Sequence, residues 1–276
     1  MKFVGYLPLL VLCESLINVQ AQSTKGREVK DGMQEGSTYV VSHLFDDCSP
    51  ADTDRSSSSE PDLTYAELAN HPKPLAKASL PVSFTICSMA VAPLCTPKDA
   101  MVQFFALLDD NGENFISAFL HGSRTSFRLN VRGNPYIPLG VLSSTVFPEQ
   151  HVRSCLAVQT NTGSLQWVVD GVVVEDRIFE EIKQSVDIKS NLIGRILLGR
   201  SKWPSGSWAH VSNKVTALNI FSTALPLVEM QKMTSESSEE CGKDGDFFAW
   251  DNMVWTLKGT SGLEYWRKDD ICTRAQ

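Results

Sequence analysis

Seven cysteines, Cys13, Cys48, Cys87, Cys95, Cys155, Cys241 and Cys272, are the residues of this 276-residue chain with the most reactive side chains. No two are spaced Cys-x-x-Cys and no histidine pair lies near them in sequence, so zinc or another metal is not expected. Paired carboxylates for sugar hydrolysis would need a pattern such as Glu-x-Asp-x-x-Glu on one strand face, and the chain has none. Gly-x-Ser-x-Gly, His-Glu-x-x-His and phosphate-cradling glycine loops are missing too. His43, His71, His121, His151 and His210 are scattered and read as surface or packing residues. No enzyme and no cofactor is expected. What remains is a segment suited to holding something. Between Arg200 and His210 two basic residues, Arg200 and Lys202, accompany Trp203 and Trp208. Cations beside flat aromatics suit a sugar ring or an anion, by stacking and charge; the competing reading packs those tryptophans beneath the loop.

The use of the cysteines depends on the compartment. Met1-Lys2 is a short basic start, Phe3 to Cys13 an apolar run, and Val19-Gln20-Ala21 has small residues at the two positions a signal peptidase reads. That layout predicts a secretory signal at 1–21; the run is too short for the about 20 apolar residues of a membrane anchor. Cys13 then leaves with the signal. The six that remain, an even number in an oxidising compartment, predict three disulfides. A secreted, extracellular protein with no membrane span is expected.

Charge divides the chain. Residues 22–61 carry 4 basic and 8 acidic side chains and end in the polar run Asp54 to Pro61, so this stretch reads as an acidic, Ser-rich flexible extension. Residues 62–276 are close to neutral and read as one domain. The net charge of −7 makes nucleic acid an improper partner.

Past residue 62 the pattern is strand after strand. Strands are predicted at 82–87, 101–108, 115–121, 126–131, 152–159, 165–169, 172–174, 196–199, 215–221 and 247–257. Asn111-Gly112 and Asp170-Gly171 are hairpin turns, and one short helix is predicted over 225–233, with Pro226 near its start. Many short strands at close intervals predict an antiparallel β-sandwich.

Several stretches resemble pentraxins in the same order along the chain. Phe84-Thr85-Ile86-Cys87 is similar to their Phe-Thr-x-Cys strand. His151 to Gly171, with Cys155 and Trp167-Val168-Val169-Asp170-Gly171, resembles their cysteine strand and Trp-Val-Asp-Gly turn. Thr64 to Leu68, Ile196 to Gly199, Val215 to Pro226 and Phe248 to Gly259 resemble further family strands. The resemblance covers roughly 62–266 and implies a jelly-roll sandwich of the pentraxin, laminin-G and concanavalin A-like kind, with Cys87 bonded to Cys155. Cys48, Cys95, Cys241 and Cys272 are left with three possible pairings. Where the family carries acidic and amide calcium ligands, this chain reads Arg200-Ser201-Lys202-Trp203, and Glu113-Asn114 alone is too little for six to eight oxygen ligands. The resemblance therefore implies a lectin-like recognition module working without calcium on glycans or other extracellular ligands. The alternative it leaves is a laminin-G-type adhesion protein that meets another protein and binds no sugar.

Overall fold

The computed structural model describes residues 27–28, 37–43, 65–68, 80–91, 101–108, 114–121, 126–131, 134–141, 150–185, 195–202, 208–210, 213–235, 243–253, 255–258 and 261–267. In chain order its elements are β1 Arg27–Glu28, β2 Ser37–His43, β3 Tyr65–Leu68, β4 Ser83–Val91, β5 Met101–Leu108, β6 Asn114–His121, β7 Ser126–Val131 and β8 Asn134–Val141. They continue with β9 His151–Gln159, β10 Ser164–Val169, β11 Val172–Ile178, α1 Glu180–Ser185, β12 Arg195–Leu198, β13 Arg200–Lys202 and β14 Trp208–His210. The last are β15 Asn213–Phe221, α2 Leu227–Thr234, a 3-10 turn Trp250–Asn252, β16 Trp255–Lys258 and β17 Gly262–Arg267.

Two antiparallel sheets form a jelly-roll sandwich. One has eight strands in the order β1-β16-β3-β12-β5-β6-β7-β8, the other seven in the order β11-β10-β9-β4-β15-β2-β17, and β13 with β14 makes a separate ribbon. Alternate residues point inward, as the two-residue period of a strand requires. Phe84, Ile86 and Ala90 of β4, Val152, Leu156 and Val158 of β9, and Leu165, Trp167 and Val169 of β10 meet Phe104, Leu107, Ile116, Leu120, Ile196 and Leu198 of the facing sheet. Trp167 anchors this layer: its ring meets Phe104 edge-on at 6.1 Å, and its Nε1 donates to the buried Ser154 Oγ at 2.6 Å.

Strands β4 and β9 are buried on both faces because α2 covers the outer one. Leu225, Met230 and Met233 pack there on Cys87, Cys155, Ala157, Val168 and Phe221. Polar side chains hold the helix in place. Ser83 Oγ and Thr85 Oγ1 of β4 accept from the backbone N–H groups of Ala224 and Leu225, each at 2.8 Å. At the other end Gln231 Nε2 donates to the Gly171 carbonyl at 3.2 Å, and the Gly171 N–H donates to Thr234 Oγ1 at 3.1 Å. Asp170 and Gly171 have φ of 46° and 76°, the left-handed pair of a type I′ hairpin turn. A Cβ on Gly171 would also lie 2.8 Å from Ser235 Oγ.

Three departures from the sequence reading bear on the sheets and the core. First, β1 and β2 lie inside the stretch read as a flexible extension, yet β1 pairs with β16, and β2 with β15 and β17; the rest of 22–61 and the signal reading at 1–21 fall outside the described residues. Second, α1 adds a short helix beyond the single one expected, and its Ile182, with the preceding Phe179, enters the main core. Third, the expected strand 247–257 is broken. Phe248 makes one bridge to Ile220, and the chain then coils through the 3-10 turn before β16. The break lets Trp250 and Trp255 both reach the core, ring centroids 5.4 Å apart, where an unbroken strand would send residues five apart to opposite faces. Asn219 Oδ1 secures it by accepting from the backbone N–H groups of Gly245 and Trp250. Position 245 admits only glycine, since a Cβ there would lie 2.3 Å from the Ile220 carbonyl oxygen.

Asp246 closes the same segment by accepting from the Ser222 N–H at 2.7 Å and from the Ser222 hydroxyl. These two bonds hold its carboxyl below the usual carboxylate range. A native pKa below the unfolded one contributes stability above the unfolded value and loses it as the pH falls through the native value. Asp246→Asn is therefore expected to flatten the acid limb of stability below about pH 4, by an amount limited by the group's exposure. Urea midpoints measured down the acid range check this; identical slopes for the two proteins would refute it.

At the rim of the seven-stranded sheet, β11 is the outermost strand. Its Glu175 and Arg177 stand opposite Trp167 and Leu165, whose side chains are core. Arg177 pairs with Glu175 at 3.2 Å and lies 4.4 Å over the ring of buried Phe179. No helix among the described residues is long and apolar enough to cross a membrane.

Candidate functional site

The two outer faces of the sandwich differ. That of the seven-stranded sheet is closed over β4, β9 and β10 by α2. The eight-stranded sheet presents β3, β12 and β5 side by side. Ala66 and Leu68 of β3, and Ile196 and Leu198 of β12, go to the core, which turns Tyr65, Glu67, Arg195 and Leu197 outward.

Those outward residues form a charged and aromatic network. Arg195 grips Glu67 with both arms of its guanidinium, Nε to Oε1 at 2.6 Å and Nη2 to Oε2 at 2.8 Å. This fork-to-carboxylate geometry is the strong form of an ion pair. Hydrogen bonding to Glu67 raises the Arg195 pKa above the ordinary guanidinium range, against a smaller opposing effect of burial, with Tyr65 adding to the rise. The Arg195 side chain keeps 41% of its surface in solvent and Glu67 23%, so the pair is reachable from outside. The half-buried Tyr65 packs against Ala106, Leu108 and Leu197, and the guanidinium of Arg200 lies 4.9 Å from its ring centroid.

The segment read as a ligand loop springs from beside this network. Gly199, at φ 78°, ends β12 and turns the chain into β13. Register pairs Arg200 with His210, Ser201 with Ala209 and Lys202 with Trp208, so the segment is a hairpin. It packs over β5 and β6, with Gln103 Nε2 donating to the Arg200 carbonyl at 2.9 Å. Arg200 itself is buried, 6% exposed, so it serves the fold by covering Tyr65 and does not stand as a free ligand cation. Lys202 and Trp208 are backbone register partners at the far end of the ribbon. Trp203 lies outside the described residues.

Sequence reasoning did not single out Tyr65, Glu67 and Arg195. Their alternation with Ala66, Leu68 and Ile196 marks them as outward-facing; what unites them is a strand pairing across 128 residues of chain. The place that the pentraxin resemblance gives to a calcium loop begins with basic residues. Position 200 carries a guanidinium seated on an aromatic ring, Lys202 follows two residues later, and Glu113 is outside the described residues. Cys87 and Cys155 are direct register partners on β4 and β9, Cα atoms 4.1 Å apart, and are joined in a disulfide. Cys48, Cys95, Cys241 and Cys272 lie outside the described residues.

No family model matches the chain, and no curated protein matches it. Among solved structures it is similar to the native heptameric SAP-like pentraxin of Limulus polyphemus, with a TM-score of 0.58 and 13% identity over 85% of this chain and 96% of that one. Looser matches are the zebrafish Gpr126/Adgrg6 extracellular region, at TM-score 0.46 and 16% identity over 74% of this chain and 26% of that one, and the CBM40 of a Ruminococcus gnavus sialidase bound to α2,3-sialyllactose, at TM-score 0.42 and 10% identity over 61% and 94%. The chain thus has the pentraxin-like jelly-roll fold.

Proposed function

We propose that the protein is a secreted, non-enzymatic recognition module that binds glycans on the outer face of the eight-stranded sheet, without calcium. The observation that carries this reading is the network of Tyr65, Glu67, Arg195 and Arg200 beside the β13–β14 hairpin. It supplies a partly exposed tyrosine with Arg200 against its ring, a carboxylate that accepts from sugar hydroxyls, and the Arg195 guanidinium, which donates to them. A few fixed polar groups on an apolar floor are what orient a small ligand. The similarity to a pentraxin in fold supports a binding role. An extracellular home accords with the Cys87–Cys155 disulfide and with the signal layout at 1–21.

A glycan array read with and without EDTA tests this. Bound glycans are expected to be the same under both conditions. Arg195→Ala is expected to reduce binding about tenfold or more, the loss of one charge-assisted contact and the stranding of Glu67, while leaving the thermal midpoint within a few degrees. No signal under either condition would sink the glycan reading. It would favour the second, an extracellular protein-interaction module, for which the exposed Val172 and Ile178 of β11 offer apolar surface.

A further inference from the structure

The disulfide borders a small cleft. Cys87 and Cys155 are on the outer face of the seven-stranded sheet, beneath Met230 and Met233 of α2. Next to the C-terminal end of that helix a partly open cleft of about 30 Å³ reaches down to them, lined also by Met89, Arg153, Asn219 and Lys243. Strand β15 bulges away between Thr216 and Asn219, with Ala217 at φ 52°, a conformation that costs an alanine energy. This displaced backbone forms one wall of the cleft. The other boundary is cationic. Arg153, 3% exposed, is two residues from Cys155 on the same strand face, and Lys243 stands at the mouth, its ammonium 3.0 Å from Glu229 and its side chain about half exposed.

We infer that the Cys87–Cys155 bond is a thiol-exchange site, addressed through this cleft by a small anionic thiol. Cys87 is 6% exposed and Cys155 1%, so attack falls on Cys87. The incoming thiolate bonds to Cys87 Sγ as the S–S bond breaks, and the electron pair departs on Cys155 Sγ, two residues from the Arg153 guanidinium. Cations near a sulfur favour its thiolate form, and a leaving thiolate of low pKa leaves faster. A second reagent thiolate then attacks the reagent sulfur of the mixed disulfide, expelling Cys87 as thiolate. Two equivalents of reagent are oxidised to one disulfide, and the protein bond takes up the two electrons. Protons from water complete the two thiols. The Lys243 ammonium at the mouth, shared with Glu229, and the buried Arg153 guanidinium beneath it add selection, because they favour anionic reagents over cationic ones.

The test uses the native full chain with two compact thiols of opposite charge, 2-mercaptoethanesulfonate and cysteamine, at low ionic strength. Mass-spectrometric peptide mapping follows the adduct, and each rate is divided by the rate on the urea-unfolded chain. The native protein is expected to favour the anionic thiol about tenfold, with the first adduct on Cys87 and the preference collapsing in high salt. Lys243→Glu changes an exposed residue and should lower the preference without unfolding the chain. Equal normalised rates, a first adduct on Cys155, exchange of both thiols only at the rate of global unfolding, or a preference untouched by Lys243→Glu would each overturn the inference.

Discussion

Trp167→Ala is expected to destabilise the sandwich by about 3–5 kcal/mol, the largest effect of a single substitution anticipated here. Trp167 is fully buried on the inner face of β10. Truncation has two costs that add. The first is a void beside Phe104, whose ring loses its edge-on partner, in a layer where sheets on both sides resist collapse. The second is the Ser154 hydroxyl, buried and deprived of the indole N–H it accepts at 2.6 Å. The two separate experimentally. Trp167→Phe keeps most of the volume and orphans Ser154, so it should cost less, about 1–3 kcal/mol. Adding Ser154→Ala to that variant should then be close to neutral. Urea unfolding of the three proteins checks this; a loss below 1 kcal/mol for Trp167→Ala would show that the core does not depend on this layer.

Replacing Cys87 and Cys155 together by alanine is expected to cost about 4 kcal/mol. The bond closes a loop between residues 68 apart in sequence, and a loop of that size restrains the unfolded chain substantially. Alanine leaves the packing of Met230 and Met233 nearly as it is, so the loss should register as a lower denaturant midpoint with α2 still in place. Far-ultraviolet circular dichroism and a urea titration of the double variant give both readings. An unchanged midpoint would mean that the bond contributes little to the fold.

Much of this architecture is legible residue by residue. The hairpin of β10 and β11 follows from Asp170-Gly171 between β-forming runs, and β5 and β6 flank Asn111-Gly112 just as a hairpin should. The boundaries of β4, β9 and α2 are read within a few residues. Elements that escape do so for physical reasons. Strand β2 sits in an acidic stretch with a short run of β-formers, Thr38 to Val41, and is a strand because β15 and β17 flank it. Strand β8 contains Pro135 and Pro138, which argue against a strand except at a sheet edge, and β8 is an edge. At the site, the basic and aromatic character of 200–208 is visible in the chain, whereas the burial of Arg200 on Tyr65 is not. The grip of Arg195 on Glu67 is equally hidden, because it depends on β12 lying beside β3.

The charged rim at β11 has a consequence for behaviour in concentrated solution. The last strand of a sheet has backbone groups left over, and another chain can use them as a template for growth. Here an added strand would have to lie against Glu175 and Arg177, which stand on the core-facing side of β11 at the sandwich margin. Desolvating that ion pair without a replacement partner opposes the addition. The pair thus acts as a guard against fibre-like stacking through this edge, and neutralising it with Glu175→Val and Arg177→Val would leave a run of valines from 172 to 175 open to self-association.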